Sequence, residues 1–397
     1  MSEKIKEIQQ AMQRTAIDVL LLHYPEELVM AFDYFPFWGR SFGFVFKEQA
    51  PILFIPENEP DRSLIQSNTD YEVQLIDEWV FERLLSYQEQ QAAEYLKIGT
   101  SLLPKNASLP ANGAEQGGMS HEWWQQLLDL PHTMVSDESR LIQSFSQRKS
   151  QTAIEKIRQA HKIAEVGLQT FYDRLQPGIT EYEMMLAIEA KIKQQAMTNG
   201  HRFVLCYPQI QAGNNTLDSG KFNRTTTKNL AATELVVLEL AVCVDGYWLD
   251  LTRTGVVGTP SSQQLRHYQQ VEKAQLAAIH AMKPGVTLSQ LQAIAKQTLQ
   301  EEGLAKKFTH GLGHSVGYQY HDPGLAINDE NQQLLEVGMI LTIEPGVYGK
   351  EINGGIRIED NLLVTETGIE WLSSEISGLN GERRTIPAFG GEKNVEK

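Results

Sequence analysis

The sequence predicts an α/β protein (of the α+β type) in two parts, and three observations lead there. Short apolar runs alternate with helix-period stretches from the N-terminus to about Val135. A helix–Pro-Gly-[Ile/Val]-Thr–helix unit then occurs twice, at Pro177 and at Pro284, 107 residues apart. Between the two, Glu234–Gly258 reads as a pair of β-branched runs joined by Asp245-Gly246, the strongest short hairpin signal a sequence offers.

A length of 397 residues suits two or three domains. The expected division is an N-terminal α/β domain over 1–145 and a second domain over 146–397. Apolar content of 41% and charged content of 21% are ordinary for a globular protein. The net charge of −15 argues against nucleic acid or an anionic membrane as the main partner, since both call for a basic surface. Two cysteines, Cys206 and Cys243, are too few for a disulfide framework and lie in apolar runs. The N-terminal stretch is polar, and no segment approaches ~20 consecutive apolar residues. A cytoplasmic location is the simplest expectation.

Taken in order, Ile5, Ile8 and Met12 form one stripe of a first helix, and Ile17–Leu22 reads as a buried strand. Phe42–Phe46 and Pro51–Ile55 read as a strand pair. Tyr34-Phe35-Pro36-Phe37-Trp38 is an aromatic cluster suited to core or interface filling. His121-Glu122 opens like HExxH, but position 125 is Gln, so the second zinc ligand is missing. Asn106-Ala107-Ser108 fits a glycosylation acceptor, without meaning in the absence of a secretory signal. Ser136–Ser150 is polar and reads as the interdomain connection. A long helix follows to about Gln176. In both Pro-Gly units, Thr180 or Thr287 caps the next helix, and Glu183 or Gln290 completes a capping box. Such a motif is also generic turn chemistry.

The chemistry concentrates in the second part. With Asp245-Gly246 as the loop, Val244 pairs with Tyr247 and Ala241 with Asp250, so Glu239 and Asp250 share a face within ~7–8 Å at Cβ. Two such carboxylates repel unless something positive lies between them. The plain alternative is a hairpin with one outward polar face. His310, His314 and His321 fall within twelve residues on a glycine-rich loop, and neutral imidazole is the commonest metal ligand. Gly313-His314-Ser315-Val316-Gly317 matches a GxSxG elbow, but no histidine exists beyond His321, so the required order of serine, acid and histidine fails. Glu344 ends an apolar strand at Met339–Ile343. Gly354–Thr365 reads as one further strand with Ile356 and Ile358 on one face and Arg357 and Glu359 on the other. Glu239, Asp250, His314, Glu344 and Glu359 make an oxygen-rich set that suits Mn²⁺, Fe²⁺, Co²⁺ or Zn²⁺ in a two-metal site.

The stretches DGYWLDLTRT, HGLGHSVGYQYHDPG, TIEPGVYG and GGIRIEDNLLVT, in this order, resemble the creatinase/aminopeptidase P/prolidase family, the pita-bread metallopeptidases. The resemblance is strong across about 148–380 and faint before. It implies a creatinase-like N-terminal domain and a pita-bread catalytic domain of two related halves. It further implies that Asp250 and Glu359 bridge two metals, with His314 and Glu344 on the first and Glu239 on the second. Glu344 would handle the proton of the attacking water, a hydroxide bridging the metals. His321 would steady the tetrahedral intermediate, His310 would line the substrate pocket, and Arg357 would hold carboxylates in place.

Two positions depart from the family pattern. The first ligand is Glu239 where Asp is usual, and no histidine appears within Gly213–Asn223, where peptidase members usually carry a substrate-binding one. The expected function is a metal-dependent hydrolase cleaving short peptides next to proline, with one or two ions, manganese first. The alternative is a member repurposed for a small molecule, as a creatinase-like C–N hydrolase or a metal-dependent lyase or tailoring enzyme. A non-enzymatic binding protein fits less well, because the metal set is so nearly complete. Relatives are often dimers, so a homodimer is expected.

Overall fold

The computed structural model describes residues 3–36, 40–60, 62–77, 80–102, 119–219 and 224–383. The chain forms two compact units, Met1–Ser146 and Gln147–Lys397. The first holds strands β1 (Val19–Leu22), β2 (Phe42–Phe46), β3 (Ile52–Ile55), β4 (Glu72–Leu75), β5 (Leu96–Thr100) and β6 (Thr133–Asp137) in one sheet of order β4-β3-β2-β1-β5-β6. β1, β2 and β3 pair antiparallel, and the outer pairs are parallel. Helices α1 (Glu3–Met12), α2 (Pro25–Phe32), α3 (Arg62–Gln66), α4 (Glu82–Gln90) and α5 (His121–Leu128) connect or cover these strands. The α1 stripe of Ile5, Ile8 and Met12 is fully buried, as its spacing requires. Within the aromatic cluster, Tyr34 is buried and donates its hydroxyl proton to Glu59. Phe37 and Trp38 lie outside the described residues, as do Asn106 and the Gly220–Asn223 part of the later turn.

The stretch read as a polar connection is ordered differently. Its start completes β6, and its remainder forms helix α6 (Ser139–Gln147), which buries Ile142 and Phe145. Two apolar residues one turn apart are enough to dock a short helix whose other positions are polar.

The second unit is built twice over. Helices α7 (Gln151–Asp173) and α8 (Glu181–Thr198) pack with β7 (Val204–Ala212), β8 (Leu235–Val244) and β9 (Tyr247–Val256) around one core. Helices α9 (Ser262–Ala281) and α10 (Leu288–Glu301) share a second core with the strands that follow. These are β10 (Gly313–Ser315), β11 (Asp322–Ile327), β12 (Ile340–Ile343), β13 (Gly346–Gly349), β14 (Gly354–Arg357), β15 (Asp360–Thr365) and β16 (Gly368–Trp371). The sheet of order β11-β10-β12-β15-β16 and the β13–β14 ribbon carry this half.

The Pro-Gly units match in detail. Thr180 and Thr287 cap α8 and α10 with full capping boxes. Gly178 donates to the Leu230 carbonyl at 3.0 Å and Gly285 to the Leu335 carbonyl at 2.9 Å, with the reciprocal bonds Leu230 N to Ile179 O and Leu335 N to Val286 O. A repeated backbone clamp of this kind, with an isolated bridge beside it in each unit, goes beyond generic capping.

The β8–β9 hairpin has the expected register, Val244 opposite Tyr247 and Ala241 opposite Asp250. Asp245 and Gly246 have φ of 49° and 91°, the pair of positive values a type I′ turn needs. One strand expectation is corrected. Gly354–Thr365 is not continuous: β14 pairs with β13, whereas β15 pairs with β12 and β16. Arg253 on β9 holds the break. Its five N–H groups reach Ile376 O, Thr252 O, Glu359 O, Ser374 O and Asp360 Oδ1, the last at 2.8 Å. Glu359 N also donates to Thr252 O at 3.1 Å, which draws the chain off the strand line.

Arg253 and Asp360 are both fully buried. Arg253→Met leaves the Asp360 charge uncompensated and is expected to destabilise the protein by about 3–5 kcal/mol, read from urea unfolding midpoints. A loss below about 1 kcal/mol would show that the break is held by other contacts.

Candidate metal centre

Period-2 alternation places Glu239 and Ala241 on one face of β8 and Asp250 and Thr252 on the same face of β9, with Glu239 directly opposite Thr252. His314 comes from β10 and Glu344 from the residue after β12. Gly313 makes this pairing possible, since a Cβ there would lie 2.1 Å from the Thr342 carbonyl oxygen. His314 N donates to Thr342 Oγ1 at 3.1 Å and Glu344 N to Leu312 O at 2.7 Å. Glu359 enters from the β14–β15 break. The histidine stretch is thus partly strand rather than loop, and His314 sits on a rigid element.

The structure brings all five residues together. Three overlapping groups, Asp250–His314–His321, His314–Glu344–Glu359 and Glu239–Asp250–Glu359, each have ligand-type atoms within 4.8 Å of one another. They border a cavity of about 470 Å³ whose lining includes Glu239, His310, His314, His321, Glu344 and Arg357. Ala326, Ile327, Asn328 and Ser219 supply other parts of the wall.

His314 shows what the cluster calls for. Its Nδ1 lies 3.0 Å from Ser315 O, and a carbonyl can only accept, so Nδ1 carries the proton. In the neutral ring Nε2 is then a bare lone pair, 3.4 Å from Asp250 Oδ2 and 3.7 Å from Glu344 Oε1. Both Asp250 carboxylate oxygens and Glu359 Oε1 are buried with no hydrogen-bond partner among the described residues. Acceptors facing acceptors out of water are stable only around a cation or a shared proton. The donor set therefore fits a divalent ion.

The electrostatics agree. Burial, then the charges of Glu239 and Glu344, push the Asp250 carboxyl well above the usual range. Burial followed by Asp250, Glu344 and Glu239 does the same to Glu359. Burial also raises Glu344, against the opposing pull of His314 and Arg357. Glu239 is the exception. Burial would raise it, but Arg357, Thr252 and Tyr320 together hold it below the ordinary value.

Several contributors were not singled out from sequence. Thr252 Oγ1 lies 2.8 Å from Glu359 Oε2 and also within hydrogen-bonding reach of Glu239 Oε2, while accepting from Arg357 Nε at 2.9 Å. One hydroxyl proton thus serves two carboxylates. Tyr320 donates to Glu239 Oε1 at 3.0 Å. Asn361 grips the Asp250 backbone, accepting from its N at 3.2 Å and donating to its O at 2.6 Å. Arg357 bonds Glu239 through Nη2 and the Tyr348 hydroxyl through Nη1 at 3.1 Å. Tyr348 is 3.0 Å from His310 Nε2, and His310 Nδ1 is 2.8 Å from Gly311 O. His310 lines the cavity with both ring nitrogens already engaged, and burial keeps it neutral with a pKa down to about 4. His321 is half exposed, its ring 3.8 Å from that of His314. Ser315 of the GxSxG match is fully buried against Lys149 and Asp322, out of reach of any substrate.

The family model of metallopeptidase family M24 matches residues 155–366. An uncharacterized peptidase of Staphylococcus aureus is 32% identical over 262 residues, covering 62% of this chain and 72% of that protein. Among solved structures, a prolidase from Pyrococcus horikoshii superposes with a TM-score of 0.76 at 24% identity, over 95% of this chain and 100% of the other. An Xaa-Pro dipeptidase from Bacillus anthracis gives 0.79 at 21%, over 95% and 98%. At these identities the two structures report the fold.

A carboxyl whose folded pKa is raised favours the folded state at low pH and loses that contribution as pH rises past the unfolded value. At neutral pH the metal-free protein is therefore strained by Asp250. Asp250→Asn removes that charge in the same shape. The chelated variant is expected to melt a few degrees above chelated wild type, yet to show no further rise when metal is added. A lower melting temperature in the chelated variant would contradict the repulsion described for this cluster.

Proposed function

The chain belongs to metallopeptidase family M24, and we propose that it cleaves short peptides with proline in the second position. The observation that carries this reading is the convergence of Glu239, Asp250, His314, Glu344 and Glu359 beside one cavity, with acceptors left open toward its centre. A divalent ion bound there polarises a carbonyl and makes water a nucleophile near neutral pH. Asp250, His314, Glu344 and Glu359 would hold it. The oxygen-rich set favours manganese, with iron, cobalt or zinc as alternatives.

The chain's own groups do the rest. Glu344, with its carboxyl raised by burial, is suited to take a proton from water and pass it to the leaving amine. His321, half exposed beside His314, is placed to donate to the oxyanion that develops on the substrate carbonyl. Arg357 fixes Glu239 directly and His310 through Tyr348, so the cavity wall is set before substrate arrives. Ala326 and Ile327 give that wall an apolar portion suited to a pyrrolidine ring. The proline preference is supported by the prolidase and Xaa-Pro dipeptidase neighbours.

A second reading, hydrolysis of a C–N bond in a small molecule, is favoured by Glu239 in place of Asp and by the lack of histidine over Gly213–Ser219. No described helix is long and apolar enough to cross a membrane. A cytoplasmic location is proposed from the polar N-terminal stretch and the lack of a long apolar segment, and a homodimer from the resemblance.

With added Mn²⁺, the protein is expected to release the N-terminal residue from Xaa-Pro-Xaa peptides or to split Gly-Pro. His314→Ala is expected to abolish turnover while leaving the circular dichroism spectrum intact. Silence toward every proline peptide, with hydrolysis of a small guanidino or amide compound, would favour the second reading. Full activity in His314→Ala would remove the site assignment.

A further inference from the structure

We infer that Lys149 is a positioning residue for His321, acting through Asp322 and the loop that joins β10 to β11. The inference rests on the reading above that His321 donates to the developing oxyanion, and it assigns what holds that histidine in place.

His321 has little else to hold it. Its side chain is half exposed, and its Nε2 stands 3.8 Å from Asp250 Oδ2, beyond hydrogen-bonding distance. No hydrogen bond to a described residue fixes the ring, which rests against the rings of His314, at 3.8 Å, and Tyr320, at 4.5 Å. An imidazole held in this way is only as well placed as the backbone beneath it.

That backbone is anchored at one pair. Ser315 on β10 faces Asp322 on β11, and residues 316–321 form the loop between them. Asp322 Oδ1 accepts from Tyr318 N at 3.2 Å and from Gln319 N at 2.7 Å, which folds the loop back on its own end. The other oxygen, Oδ2, takes the Lys149 ammonium at 2.6 Å, and Lys149 also donates to Ser315 Oγ at 3.0 Å. One buried cation thus grips both members of the closing pair. The lysine is itself fixed, because its backbone N donates to Gly338 O at 2.8 Å and the next residue, Ser150, caps α7. Gly317 makes room for its stem, since a Cβ there would lie 2.6 Å from Lys149 Cε.

The Lys149 and Asp322 side chains are 0% and 1% exposed, so neither touches substrate. A buried pair of this kind adds little stability over apolar packing of the same volume. Its contribution here is direction: with Oδ2 pinned by the ammonium, Oδ1 is aimed at the two loop amides. The serine of the GxSxG match belongs to this clamp as a hydroxyl between cation and carboxylate.

The test is a mutant cycle on the full-length protein with Mn²⁺. It uses whichever substrate the wild type hydrolyses, an Xaa-Pro-Xaa peptide or the small guanidino or amide compound of the second reading, so failure of the proline reading leaves it intact. His321→Ala is expected to lower kcat by roughly 100- to 1000-fold, the scale of one lost oxyanion donor. Lys149→Met combined with Asp322→Asn removes both buried charges together and keeps an acceptor for the two loop amides. This double variant is expected to melt near wild type and to keep its KM and bound Mn²⁺. Its kcat is expected to fall by roughly 100-fold, the scale of a misplacement of about 1 Å. In the His321→Ala background the same two changes are expected to cost no more than about twofold. Amide exchange read by mass spectrometry is expected to quicken across 316–321 and not elsewhere. Asp322→Asn alone, the milder change, is expected to move kcat and exchange the same way by less. Equal losses in both backgrounds would overturn the inference, because Lys149 would then act on something other than His321. So would wild-type kcat in the double variant, or unchanged exchange across 316–321. Wild-type kcat in His321→Ala would instead remove the oxyanion role of His321, and this inference with it.

Discussion

The constraint on which the second unit depends is the enclosure of four carboxylates and an imidazole with too little positive charge between them. Water would screen such a group, but these side chains are mostly buried. The fold must therefore supply compensation, and it does so unevenly. Arg357, Thr252 and Tyr320 all serve Glu239, whereas Asp250 and Glu359 are left raised and open. Left so, they are the part of the cluster that a cation would stabilise most. A surface with the same residues spread apart would have no such demand.

Holding that arrangement falls to the sheets rather than to loops. β8 and β9 present Glu239 and Asp250 from a ten-residue ladder, and Gly313 lets β10 close on β12 so that His314 arrives from the other half. The doubled helix pair with its Pro-Gly clamp frames both sheets. Arg253 spends all five of its donors on the bend that delivers Glu359. A candidate ligand set drawn from four separate stretches is thus fixed mainly by backbone pairing, which tolerates little drift.

Much of this was legible in the sequence, and the reasons differ by element. The Asp245-Gly246 turn fixes the β8–β9 register from local chemistry alone, so the shared face of Glu239 and Asp250 followed directly. The motif-bearing residues His314, Glu344 and Glu359 carried their own signal through the family resemblance. The bend after Arg357 was hidden because alternation looks the same whether a strand runs on or breaks, and what breaks it is Arg253, about a hundred residues earlier. Helix α6 was hidden by its polar majority, with only Ile142 and Phe145 marking the docked side. Tyr320 had no signal beyond its place next to His321. Its partner Glu239 lies 81 positions away, and nothing local announces that meeting.

Asn361 has one more consequence. Its amide grips the Asp250 backbone from both sides, so the seam between the two sheets of the second unit is stitched at a residue of the acidic cluster itself. Any breathing that parts the seam therefore tugs on Asp250, and through it on the whole acidic cluster, at once.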